Sequence, residues 1–198
     1  WKIIVDPDSI IKNEKMILPV LQESHKVQRQ VAKEIPPDEI SSPAIQKIIR
    51  DMSDTLHSID IGVGLAAPQI GQSLALFLVS EEALVAKRDK KKIDREEYKK
   101  HKAEKRWKHF VFINPKIIRA SNEKELLTEG CLSVNDIFGQ IKRSKRVVIE
   151  ALNERGRRFR RSASGIFAQV VQHEADHLKG ILFIDNAVNL KELKELEK

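Results

Sequence analysis

This chain has little cysteine, no excess of glycine or proline and no long apolar run, and each scarcity excludes a class. With one cysteine in 198 residues, no internal disulfide can form, so a disulfide-stapled secreted scaffold is excluded. That thiol is core filler, a ligand or a nucleophile. Cytoplasmic chemistry is the expectation; a transit peptide removed ahead of Trp1 would place the chain in an organelle stroma or matrix instead. No stretch approaches the roughly 18 apolar residues of a membrane span, and Trp1-Lys2-Ile3-Ile4-Val5-Asp6 breaks into charge too early for a signal peptide. No membrane partner is expected. Eight glycines and seven prolines exclude fibrous and low-complexity architectures. What is present is 41% hydrophobic content, and at about 100–200 residues per domain residues 1–198 read as a single domain with a sizeable core.

Charge is regional. The overall balance is +7, made of +4 in residues 81–106, +7 in 142–161 and −4 elsewhere. The first segment mixes signs and reads as a solvated insertion, helical or disordered. The second is nearly all cationic, as expected of a surface facing a polyanion. Ribosomal RNA is the partner it suggests.

Local signals outline an α+β fold. Residues 1–40 lack a clean period. Ser42 then Pro43 make an N-cap and first helical residue, followed by Ile45, Ile48, Ile49, Met52 and Leu56 at steps of three and four; that apolar face should cover a sheet. Leu74 to Val79 and Phe110 to Ile113 read as strands, with Lys116 to Ile118 extended. Arg146 to Leu152 and Arg157 to Arg161 read as a hairpin around Asn153-Glu154-Arg155-Gly156. A helix is expected from about Ser164 to Lys179 with Gly180 as its stop, then a short strand Ile181 to Ile184. Leu190, Leu193 and Leu196 have the spacing of a last helix. Helices separated by antiparallel strands imply antiparallel or mixed sheets around a central helix.

The string His173-Glu174-Ala175-Asp176-His177 carries the most chemistry. On a helix, residues four apart project from one face, so both imidazoles can meet one metal ion while Glu174 reaches a water beside it. A catalytic site of this type takes three protein ligands. Asp185 and Glu192, Glu195 and Glu197 are downstream candidates for the third, and Cys131, in Glu129-Gly130-Cys131-Leu132-Ser133, is another. Asp176 faces about 100° away from His177 and is expected to bond a neighbouring element. Glu129 is a candidate partner of Arg143.

Three segments in order, Gly62-x-Gly64-Leu65-Ala66-Ala67-Pro68-Gln69, Glu129 to Ser133 and Gln172 to Gly180, resemble the signature motifs of the peptide deformylases, and the likeness continues through Leu182-Phe183-Ile184-Asp185. It covers roughly residues 43–80 and 108–186. The resemblance implies a hydrolase that removes the formyl group from the N-terminal formyl-methionine of nascent peptides, releasing formate. It implies that Cys131, His173 and His177 hold one divalent ion, Fe²⁺ first, with Zn²⁺, Ni²⁺ or Co²⁺ as alternatives. Glu174 would be the general acid/base, and the Gln69 amide with the Leu132 N–H would stabilise the oxyanion. Glycine is expected at Gly62 and Gly64 because the substrate backbone runs close to them. Val63 joins them as a substrate contact and, with Val170, is a candidate wall for the Met side chain.

The chain departs from the family pattern in three places: Asn135-Asp136 after Ser133-Val134, where proline is usual, the charged segment 81–106, and residues 1–30. None of them touches the implied ligands. Two other readings remain open at this point. One is a metallopeptidase that uses the two histidines and a downstream third ligand; the other is a non-catalytic relative that docks on RNA or the ribosome.

Overall fold

The computed structural model describes residues 15–60, 62–85 and 108–196. Most of the segment 81–106 and the first fourteen residues lie outside them. Five antiparallel strands in the order β1-β2-β3-β6-β7 form the larger sheet: β1 (Gly64–Ala66), β2 (Leu76–Ser80), β3 (His109–Ala120), β6 (Arg146–Leu152) and β7 (Arg158–Ser164). A smaller antiparallel sheet runs β4-β5-β8: β4 (Lys124–Cys131), β5 (Val134–Ser144) and β8 (Val188–Glu192). The helices are α1 (Pro43–Ser58), the single turns α2 (Glu82–Val85) and α4 (Leu193–Leu196), and the long α3 (Gly165–His177). The α+β class with antiparallel sheets is borne out.

Strand β2 shows why the larger sheet sits where it does. All five of its residues are buried, and alternation sends them to two cores. Phe77 and Val79 join Phe112, Ile149 and Ala163 against Phe167, Val170 and Val171 of α3. Leu76 and Leu78 join Leu65 and Ile113 against Ile45, Ile49, Met52 and Leu56 of α1. The α1 stripe therefore covers a sheet, as its spacing requires. Its first turn is capped by Ser42, whose hydroxyl accepts from the Ile45 N–H at 3.3 Å, satisfying one of the donors a helix start leaves open.

Two local expectations are corrected. Ile181 to Ile184 is not a strand: Phe183–Asp185 form a 3₁₀ turn. Consecutive Leu182 and Phe183 both enter the core of the smaller sheet, which a strand's alternation forbids, and the Asp185 carboxylate holds the turn by accepting from the Leu182 N–H at 2.9 Å. Leu190 is not helical either. It lies in β8, which pairs with β5 from Ile137↔Glu192 to Gln140↔Val188 and so closes an otherwise open strand edge. The last helix is one turn and starts only at Leu193.

Candidate active site

The site lies where the two sheets meet α3. Cys131 ends β4, and Val134, its register partner, begins β5, so Leu132 and Ser133 form a two-residue hairpin loop. His173 and His177, one turn apart on α3, have ring centroids 5.0 Å apart. Cys131 Sγ lies 3.2 Å from His177 Nε2. One ligand atom from each of Cys131, His173 and His177 falls within 4.8 Å of the others, the one such group among the described residues. A soft thiolate with two imidazoles suits a divalent transition metal.

Behind this triangle is a buried ion network. The Arg143 guanidinium on β5 grips the Glu129 carboxylate with two hydrogen bonds of 2.8 and 2.9 Å and reaches Asp176 on α3. Glu129 Oε2 lies 2.9 Å from His173 Nδ1. A carboxylate only accepts, so the hydrogen sits on Nδ1 and Nε2 presents its lone pair forward. Burial works to raise the Glu129 carboxyl, but hydrogen bonds from Arg143 and His173 outweigh it and hold it down to about 2. Burial likewise opposes charge on both imidazoles. Cys131 and Glu129 reverse this at His173, which is raised well above its ordinary value, while His177 beside it is pushed well below. Positive charge is thus favoured at His173 and disfavoured at His177, and the fit to a cation rests on the donor set itself, one sulfur and two imidazoles within 4.8 Å.

Glu174 is 4% exposed, and its Oε2 has no hydrogen-bond partner. Burial above all pushes its carboxyl up to about 7, the presence of Glu129 adding to the rise and His173 opposing it. A methyl group built at Gly64 would fall on Glu174 Oε1 and 2.8 Å from Val170 Cγ1, so the carboxylate lies directly over the glycine. Gln69, in the 3₁₀ turn Ala67–Ile70, accepts from the Ala66 N–H through Oε1 at 2.7 Å. That fixes its Nε2 toward Cys131 Sγ at 3.7 Å and Ser133 Oγ at 3.2 Å.

These groups line a cleft of about 560 Å³ together with Gly62, Val63, Leu132, Ile166, Val170 and Leu193. Of the nine residues given ligand, catalytic or substrate roles, eight line this cleft, and the ninth, His177, is buried behind them. Asn135 and Asp136 stand on its rim, in a stretch of β5 that bulges out because Gly130 pairs with Phe138 while Cys131 pairs with Val134. Asp185 is engaged by Arg29 at 2.6 Å, and Glu192 sits in exposed β8, so neither serves as a third ligand. Sequence reasoning missed Gln22 and Gln28, which reach the Leu132-Ser133 loop from a segment without periodicity. Their signal is only that two polar residues follow a short apolar stretch.

A profile described as polypeptide deformylase matches residues 17–193. The peptide deformylase of Pseudothermotoga lettingae is 41% identical over 138 residues, covering 70% of this chain and 66% of that one. Peptide deformylase 1A, chloroplastic/mitochondrial, of Arabidopsis thaliana is 37% identical over 182 residues, covering 89% and 64%. The chain thus spans about two thirds of the length of either relative. A Met-Ala-Ser-bound class I type b peptide deformylase from Acinetobacter baumannii superposes with a TM-score of 0.71 at 30% identity, covering 87% of this chain and 99% of that one. With sequence profile, relatives and fold in agreement over nearly the whole described chain, this protein belongs to the polypeptide deformylase family of metal-dependent hydrolases.

Proposed function

We propose that the cleft carries out the family's reaction, hydrolysis of the N-formyl group of formyl-methionyl nascent peptides to formate and a free amine, within one domain that spans the chain. The observation that carries this reading is the convergence of Cys131, His173 and His177 within 4.8 Å, with Glu174 and Gln69 lining the same cleft. Those three residues would hold a divalent ion, Fe²⁺ before Zn²⁺, Ni²⁺ or Co²⁺, and it would supply Lewis-acid activation of water at neutral pH. Glu174, buried and otherwise unpartnered at Oε2, takes a proton from the attacking water and returns it to the leaving amine, the work of a general acid/base. Attack places negative charge on the formyl oxygen. The Gln69 Nε2 and the Leu132 N–H, already fixed, receive it, and each such donor is worth on the order of 10²–10³ in rate. Gly62, Val63 and Gly64 flank the substrate, and Val63 with Val170 walls the Met side chain.

Two further parts of the reading follow. Among the described residues no helix is long and apolar enough to cross a membrane, and we place the reaction in the cytoplasm, with an organelle as the alternative that the Arabidopsis relative's name supports. We also assign ribosome contact to segment 142–161, through Arg146, Arg155, Arg157, Arg158 and Arg160. Arg143 is withdrawn into the buried network, and Arg161 lies over the rings of Phe110 and Phe167, so neither faces a polyanion. Charge reversal at Arg157 and Arg158 should abolish co-sedimentation with ribosomes at low salt; undiminished co-sedimentation overturns that assignment. For the activity, anaerobic purification with metal analysis and formate release from a formyl-Met peptide is decisive. Full metal occupancy with no formate overturns it.

A further inference from the structure

We propose that Gln28 is a positioning residue for one of the two oxyanion donors, the Gln69 amide. This rests on the assignment of that donor above. The hairpin loop Leu132-Ser133 has only two residues, yet neither of them has a positive φ. Two-residue hairpins usually take primed turns, which require positive φ. The loop's shape is therefore imposed from outside, and the outside is the segment Leu21 to Gln28.

That segment grips both donors. Gln28 Nε2 donates to Ser133 Oγ at 2.8 Å and to the Leu21 carbonyl at 2.9 Å. Gln22 Nε2 donates to the Leu132 carbonyl at 3.3 Å, and the Glu23 N–H to the Ser133 carbonyl at 2.8 Å. The Leu21 N–H donates to the Gln69 carbonyl at 2.8 Å. Gln28 and Ser133 are fully buried and Gln69 is 1% exposed. The 3₁₀ turn Lys26–Arg29 that carries Gln28 is itself held, because His25 Nδ1 accepts from the Val27 N–H and the Gly180 Cα packs against the Arg29 backbone.

Ser133 Oγ is the link. It receives one hydrogen from Gln28 and one from Gln69 at 3.2 Å. A carboxamide nitrogen has two hydrogens. With one Gln69 hydrogen committed to a hydroxyl that Gln28 fixes, the other faces Cys131 and the position of the reacting carbonyl. An apolar residue of the same size at position 28 would leave Ser133 free to turn and Gln69 free to follow. Small misplacements of groups that act only in the transition state appear in kcat rather than KM.

The test is formate release from a formyl-Met peptide by Q28L, S133A, Q69M and the combinations Q28L/Q69M and S133A/Q69M, with metal stoichiometry measured for each. Q28L and S133A should each lower kcat about 10-fold with KM and bound metal unchanged, and neither should lower kcat further in the Q69M background. Should Q28L fail to fold, S133A with its Q69M double carries the same comparison. Unchanged kcat, a loss seen only in KM or bound metal, or losses that multiply with that of Q69M overturn the proposal. If Q69M alone leaves kcat unchanged, the oxyanion assignment fails and takes this proposal with it.

Discussion

The two glycines of the first motif should respond very differently to alanine. Sequence reasoning gave Gly62 and Gly64 one role, close passage of the substrate backbone. The structure separates them. At Gly64 a methyl group would overlap Glu174 Oε1 and come within 2.8 Å of Val170 Cγ1, distances no side chain accepts without moving. Gly64 is not in the left-handed region, so Ala is conformationally allowed there and the effect is purely steric. Val170 is held in α3 and packed in the core, so the carboxylate is the part that yields. At Gly62 the methyl would meet Leu56 Cδ1 and Ile59 Cγ2 at 3.1 Å and Ile59 Cβ at 3.3 Å, apolar neighbours that are none of the catalytic groups. Displacing a general acid/base forfeits about 10²–10⁴ in rate, so G64A should lower kcat on the order of 10²-fold or more. Overpacking adds about 1–3 kcal/mol of destabilisation, seen as a fall in Tm of roughly 2–4 °C per kcal/mol for a chain of this size. G62A should keep kcat within about 3-fold, its cost falling on stability at about 1 kcal/mol, the low end of overpacking. Formate release and thermal unfolding of both variants decide. G64A with wild-type kcat, or G62A as damaging as G64A, refutes the reasoning.

Other consequences are equally direct. C131S should lose bound metal and formate release together, since a hydroxyl is a poor substitute for a thiolate; metal analysis and the formate assay report both. E129Q removes a carboxylate held down to about 2, well below the usual carboxylate range. A depressed carboxyl contributes stability that is present above its unfolded pKa and lost as pH falls toward the folded one, so urea unfolding of the wild type should weaken between about pH 4.5 and 2. E129Q should be less stable by about 3 kcal/mol at pH 7, with a flatter acid profile, and should bind metal 10–100-fold more weakly because His173 loses its orienting partner. M52A empties a fully buried position between α1 and the larger sheet and should cost 2–5 kcal/mol by denaturant unfolding, with kcat retained well below the new Tm.

How far the sequence reveals this protein follows from where each residue's signal lies. The helix α1 was readable because its cap and its stripe are local, and β2 because burial on both faces makes an unbroken apolar run. The metal-ligand candidates were readable because His173 and His177 are one helical turn apart and Cys131 sits in a distinctive string. The long hairpin of β4 and β5 gave no period, since β4 is largely exposed and its pairing is set by its partner rather than by a core. Leu190 looked helical because three leucines share a spacing, but the open edge of β5 and the room left by Gly139, whose methyl would lie 2.6 Å from Leu190 Cδ2, drew it into a strand. Gln22 and Gln28 were invisible for a different reason. Their partners across the joint stand 110 and 105 residues away in sequence, and nothing local to a glutamine says which group it will meet.

The placement of the site also accounts for its construction from three separate segments. The larger sheet and the smaller one share no strand; α3 packs into a core of the larger sheet, and the smaller sheet has a separate core of its own. Gly64 and Gln69 belong to the first sheet's edge, Cys131 and Glu129 to the second, and His173, Glu174 and His177 to the helix packed between them. An oxyanion donor must keep its distance from the reacting atom to a fraction of an ångström, which packing between two independent cores does not by itself guarantee. Polar links across the joint supply that precision: Arg143 ties β5 to Asp176 of α3, Gln169 of α3 donates to the Thr128 carbonyl of β4 at 2.9 Å, and Ser133 ties the β4–β5 loop to Gln69. The catalytic geometry is thus a property of the joint between two cores, which is why its supporting residues are buried, polar and drawn from every part of the chain that touches it.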